Sequence, residues 1–85
     1  MHRTTDQFWE RYQALPDDVH STADKSFQLL KENPRHPSLQ FKKVGNFWSA
    51  RVGLAHRALA IEDDTGLIWV WIGGHADYER IVRKD

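Results

Sequence analysis

The chain contains no cysteine. No disulfide can staple it, no thiolate can hold a metal, and no thiol can act as a nucleophile. A small domain without staples suits a reducing compartment. Long hydrophobic runs are missing too: nothing approaches the roughly 18–20 apolar residues of a membrane span. The opening Met1-His2-Arg3-Thr4-Thr5-Asp6 lacks the apolar stretch of a signal peptide. The expectation is a cytoplasmic protein with no membrane association. No Gly-rich phosphate loop and no serine-centred elbow occurs. The five histidines have no ligand spacing and no His-x-x-x-His pair, so neither a metal nor a cofactor is expected.

One further absence is local. From Asn33 to Ile61 there is neither Asp nor Glu, although the whole chain carries 12 acidic residues against 12 Lys and Arg. The same stretch holds Arg35, Lys42, Lys43, Arg51 and Arg57, with His36 and His56. A net charge of zero therefore conceals a basic segment and an acidic remainder. Such asymmetry is the pattern of a surface that faces a polyanion.

What is present in quantity is aromatic: four Trp, four Phe and two Tyr among 85 residues. A chain this short buries only about 60–65% of its unfolded surface, so large rings must supply the core of one domain, 1–85. Thr5 can cap a helix on which Phe8, Tyr12 and Leu15 share a face. Pro16 ends that helix and suits the start of the next, with Asp17 and Asp18 in its first turn. Val19, Ala23, Phe27 and Leu30 continue one apolar stripe until Asn33-Pro34 and His36-Pro37 stop the helix. From Leu39 the period changes to two, with turns at Gly45-Asn46, Gly53 to Ala55 and Asp63 to Gly66. The strands are then Leu39 to Lys42, Trp48 to Val52, His56 to Ile61 and Leu67 to Ile72. The last is an unbroken apolar run, as befits a central strand covered on both faces. Gly73-Gly74 ends it, and Asp77 to Arg83 can form a turn or two of helix. The predicted fold is α+β, a helical hairpin packed on a small curved antiparallel sheet of about four strands, with a short C-terminal helical turn.

In that order, several segments resemble the RelE/ParE superfamily of toxins, especially its small translational-repressor members. They are Phe8-x-x-x-Tyr12-x-x-Leu15-Pro16, Asn33-Pro34-x-His36-Pro37-Ser38-Leu39-x-Phe41-Lys42, Trp48-Ser49-x-Arg51-Val52, His56-Arg57-Ala58-Leu59 and Trp69-x-Trp71-Ile72-Gly73-x-His75-x-x-Tyr78. Together they span almost the whole chain. The resemblance implies a toxin of a toxin–antitoxin pair, partnered by a cognate antitoxin. It implies endoribonuclease action without a metal on messenger RNA at the ribosome, or gyrase inhibition in the ParE manner, or antitoxin binding alone. The sequence departs from the family in showing no strand ahead of the first helix. It also has no acidic residue on the basic strands, which leaves the general base unassigned.

Cleavage of RNA by its own 2′-hydroxyl needs a base, an acid and fixed cations for the phosphorane charge. An imidazole can do either proton job, and His75 follows two glycines that permit a tight turn. Arg57 matches the third-strand arginine that relatives place on the scissile phosphate, and a guanidinium suits that task. Its alternation is awkward, because Arg57 shares a strand face with Leu59 and Ile61; a bulge or a position at the rim would resolve this. Tyr78 can stack on a base, assist proton transfer or pack the C-terminal turn. Lys42 and Arg51 alternate away from the apolar positions and are candidate phosphate contacts, whereas Lys43 has the apolar parity and would act from the strand end. Trp69 and Trp71 fall on one face of an unbroken strand, as core, base platforms or antitoxin surface.

Overall fold

The computed structural model describes residues 2–83. The elements are β1 (His2–Thr4), α1 (Asp6–Gln13), α2 (Asp17–Glu32), a 3-10 turn (Pro37–Leu39), β2 (Lys42–Val44), β3 (Phe47–Val52), β4 (His56–Asp63), β5 (Gly66–Gly74) and α3 (His75–Arg83). The α+β class and the helical pair are as expected. The sheet has five strands rather than four and is mixed, in the order β1-β5-β4-β3-β2. β1 runs parallel to β5, with Thr4 opposite Trp69; the other pairs are antiparallel. Three residues with one charged side chain give no readable period, so β1 is specified by its partners. Trp69 Nε1 donates to His2 Nδ1 at 3.0 Å, Arg3 is ion-paired with Asp63, and the Thr5 amide donates to the Trp69 carbonyl at 3.2 Å. The Arg3 guanidinium and the Thr65 amide hold the Asp63 carboxyl down at about 2.

The helices form as their local chemistry dictates. Thr5 Oγ1 accepts from the Phe8 amide at 3.1 Å, capping α1. Asp17 and Asp18 occupy the first turn of α2 behind Pro16. α1 lies over β5 and α2 over β3. The two helices are tied by Tyr12, whose hydroxyl donates to Asp24 Oδ1 at 2.7 Å and whose carbonyl lies 2.6 Å from His20 Nε2. Gly45 takes φ +60° in the two-residue β2–β3 connection, where an L side chain would be strained. The segment from Pro37 to Leu39 is a 3-10 turn, so the strand expected from Leu39 to Lys42 is instead Lys42–Val44. Among the described residues no helix is long and apolar enough to cross a membrane.

The sheet carries a core on each face. Ala23 and Leu30 of α2 pack with Leu39, Ala50, Val52, Ala58, Ala60, Trp69 and Ile72 on one side, joined by Phe8, Tyr12 and Leu15. On the other side Leu59 and Trp71 pack with Tyr78 of α3, flanked by Phe47, Val70, Ile81 and Val82. The division follows from a bulge in β5. Leu59 pairs with Trp71 but Ala60 pairs with Trp69, so Val70 is the extra residue. Trp69 and Trp71 therefore lie on opposite faces and are both buried, which corrects the expectation that they share one.

Gly73 and Gly74 are also corrected. Neither has a positive φ; both are strand residues paired with Arg57 and His56. A Cβ on Gly73 would lie 2.6 Å from Cζ2 of Trp71, whereas one on Gly74 would meet nothing within 4 Å. Gly73 is thus required by the Trp71 indole folded over it, not by a turn. Gly73→Ala is expected to destabilise the fold by about 1–3 kcal/mol through overpacking, and Gly74→Ala to be near neutral, in urea titrations followed by tryptophan fluorescence.

Burial lowers the His2 pKa below 6.5, and the nearby Lys31 adds to the effect. The neutral ring is the one that can accept from Trp69. The unfolded chain then binds more protons than the folded one just below 6.5, so stability should rise with pH through that window and be complete above it. Thermal melts at about pH 5 and about pH 7 should show this increment, and His2→Gln should flatten it.

Candidate functional site

The basic segment folds into β2, β3, β4 and their connections, and the register sorts its charges by face. Arg51 is directly opposite Arg57, Ser49 opposite Leu59, and Lys42 opposite Ser49. These five share the face that α3 packs on. Lys43 is opposite Trp48 and so lies on the α1–α2 side, apart from the others. The awkward parity of Arg57 is resolved without a shift at that residue. Leu59 is core, but core of the α3 side, and Ile61 on the same face is exposed. The helical hairpin supplies the core on one face of the sheet, and α3 supplies the one on the other.

α3 brings the remaining groups to this face. It begins at His75, two residues earlier than expected, and the His75 amide donates to the Ala55 carbonyl at 2.9 Å. That bond pins the start of α3 to the β3–β4 turn. The helical phase places Glu79 one turn on, and its Oε1 lies 3.0 Å from His75 Nε2. Both side chains are about half exposed. Tyr78 is buried against Leu59 and Trp71, so its ring is not a free platform for a base. One face of that ring carries the Arg57 guanidinium, 5.2 Å from the centroid. The His75 ring lies 5.6 Å from the Tyr78 ring on the same side of the molecule.

Arg57 is therefore held by two neighbours. Tyr78 supports it from the helix, and Gln40 accepts from its Nη2 at 2.9 Å. Its Nη1 is buried without a partner among the described residues. Neither Glu62 nor Asp63 takes Arg57: Trp48 donates to Glu62, and Arg3 pairs with Asp63. Arg51 Nε donates to the Gly53 carbonyl at 2.9 Å, which fixes its stem along the strand end. Lys42 is exposed at the edge of the sheet.

Glu79 and Gln40 were not foreseen as site residues. Glu79 was legible as His75-x-x-x-Glu79, had the helix been started at His75. Gln40 carried no signal, because its use depends on the fold bringing a loop against β4. The assembled face offers donors without acceptors at Arg57, Arg51 and Lys42, beside an imidazole paired with a carboxylate. Such a set can bind a phosphodiester and move a proton at its edge. An apolar cavity lined by Phe8, Trp9, Tyr12, Phe27 and Trp69 lies on the α1–α2 side, and of the site residues only Arg51 also borders it. Among the described residues no group of three or more His, Asp or Glu could hold a metal.

No family model matches the chain, and no curated protein matches it by sequence. Solved structures do match its fold. A chain of the RelB–RelE antitoxin–toxin complex from Methanococcus jannaschii aligns with a TM-score of 0.71 at 12% identity, over 93% of this chain and 96% of that one. YafQ from Escherichia coli BL21(DE3) aligns with a TM-score of 0.71 at 16% identity, over 92% and 96%. The isolated Escherichia coli RelE toxin aligns over 100% of this chain and 98% of its own, with a TM-score of 0.63 at 12% identity. The match to the isolated RelE toxin covers the whole chain and so includes β1, the strand by which the structure departs from the four-stranded expectation. The chain has the RelE-type toxin fold.

Proposed function

We propose that this protein is the toxin of a toxin–antitoxin pair and cuts messenger RNA at the ribosome by metal-independent transesterification. The observation that carries this reading is that Tyr78 has both Arg57, 5.2 Å from its ring, and the His75 ring, 5.6 Å away, as neighbours, with Glu79 on His75 and with Arg51 and Lys42 on the same sheet face as Arg57. The RelE-type fold supports it, since the Methanococcus jannaschii neighbour is a toxin held with its antitoxin. A cognate antitoxin is the partner that follows.

In the reaction the ribose 2′-oxygen attacks the adjacent phosphorus and the bond from phosphorus to the 5′-oxygen breaks. The products are a cyclic phosphate and a free 5′-hydroxyl. Arg57 binds a non-bridging oxygen, where negative charge accumulates in the transition state. Arg51 and Lys42 hold neighbouring phosphates and orient the strand. His75 delivers a proton to the leaving 5′-oxygen. Glu79 accepts from His75 Nε2 at 3.0 Å and so stabilises the protonated ring that this step needs. The 2′-hydroxyl proton leaves to a base that the protein face or the ribosome supplies. Tyr78 acts beneath Arg57 as its support.

Expression of the chain without an antitoxin should arrest growth and leave cut messages, mapped by their new 5′ ends. His75→Ala and Arg57→Ala should each lower cleavage by about 10²–10⁴-fold, with melting points within a few degrees of the parent. A fully active His75→Ala protein would sink the proton-transfer assignment. A DNA-damage response without message cleavage would favour gyrase inhibition. Normal growth on induction would leave an antitoxin-binding module only.

A further inference from the structure

Gln40 is the one non-glycine residue among those described that adopts a positive φ, at +44°. It closes the 3-10 turn with its amide donating to the Pro37 carbonyl at 3.2 Å, in the left-handed region. Glycine would fill that backbone position without strain. A glutamine there accepts a conformational penalty, and strain kept at one residue points to what its side chain does. That side chain leaves the loop and reaches β4, where it meets Arg57 at 2.9 Å.

The chemistry of the contact fixes which way the amide faces. A guanidinium has donors and no acceptor, so the oxygen of Gln40 must be turned toward Arg57. The amide nitrogen is then turned away, and it presents two N–H donors from an exposed side chain. Arg57 meanwhile has its Cζ 5.2 Å from the Tyr78 ring centroid, a contact that places the guanidinium over the ring but does not fix its rotation. A hydrogen bond to one Nη is what removes this rotation.

We propose that Gln40 is the positioning residue of the site: its side-chain oxygen fixes the Arg57 guanidinium, and its amide adds donors for an oxygen of the same phosphodiester. The assignment rests on the RNA-cleaving reading for its substrate, and on geometry alone for its action on Arg57. It makes the anion subsite a composite of the loop before β2 and the start of β4. Arg57 supplies charge there, and Gln40 supplies direction.

Two variants separate this role from a structural one. Gln40→Gly relieves the backbone strain and deletes the side chain, so its melting point should equal or exceed that of the parent. Gln40→Glu keeps the acceptor for Arg57 but exchanges the amide donors for a negative charge. Nitrogen-15 NMR of the ligand-free protein, with Arg57 identified by Arg57→Lys, should show separate, slowly exchanging Nη signals in the parent. These should collapse in Gln40→Gly and return in Gln40→Glu. Message cleavage should fall about tenfold in Gln40→Gly and stay low in Gln40→Glu. Unchanged Arg57 signals in Gln40→Gly would overturn the positioning role, and wild-type cleavage by Gln40→Glu would overturn the donor role. If the parent cuts no RNA while the NMR pattern holds, the RNA reading falls and the positioning of Arg57 stands.

Discussion

The extra residue in β5 decides the architecture. Without the bulge at Val70, Trp69 and Trp71 would crowd one face of the sheet, and the other would have no large anchor. With it, Trp69 seats the α1–α2 layer and Trp71 seats α3. A domain of this size has little apolar area to spend, and the bulge divides it between two layers. Much of the site follows from that division. Tyr78 can pack on Leu59 only because Trp71 is on that side, and Arg57 can lie on Tyr78 only because α3 is held there. Even Gly73 is explained by the same ring, which occupies the volume a side chain would need.

The charge pattern is ordered by the same layering. The acid-free segment supplies β2, β3 and β4, and strand alternation turns Lys42, Arg51 and Arg57 to the α3 face. Among the described residues the carboxylates sit on α1, α2, the end of β4 and the β4–β5 turn, apart from Glu79 and Asp77 on α3. A protein of zero net charge thereby gathers three cations on one sheet face, the kind of asymmetry the proposed function uses. Asp77 and Glu79 temper that field locally. Arg80 pairs with Asp77, and Glu79 lies between His75 and Arg83, at 3.6 Å from the latter. The acidic groups nearest the site are therefore already engaged by bases.

What the sequence showed and what it hid divide along physical lines. Periodicity over many residues was legible: both N-terminal helices, their Thr5 cap, and the strands from Phe47 onward. Features that rest on one residue or on a distant partner were not. β1 has three residues and no pattern, and it exists because β5 offers an open edge and Trp69 offers an indole N–H to His2. The bulge is invisible because Leu67 to Ile72 is apolar at every position, so no alternation remains to be interrupted. Missing it put both tryptophans on one face. At the candidate site, Arg51 and Lys42 were assigned a face by strand parity, and the register agrees. Lys43 was given the parity of the apolar positions, and it does lie on the α1–α2 face. Gln40 needed the coordinates, since nothing local marks a loop glutamine as the neighbour of a strand arginine.

The site is drawn from parts of unequal security. Arg57 and Arg51 sit on adjacent strands inside the sheet, and their positions hold as long as β3 and β4 pair. His75, Tyr78 and Glu79 come from one nine-residue helix at the end of the described chain. A helix of that length is marginal by itself, so it stays in place through Tyr78, Ile81 and Val82 and through the His75 amide bonded to Ala55. Elements with few buried contacts open well before the whole fold does. The groups proposed for proton transfer are therefore the ones that local opening removes first, while Arg51 and Arg57 stay on paired strands. On the proposed reading, a partner that pried α3 from the sheet would remove the imidazole and leave the strand cations in place. One that covered Lys42, Arg51 and Arg57 would block binding outright. The bulge sets this asymmetry as well, because it determines how much ring area Trp71 gives to α3.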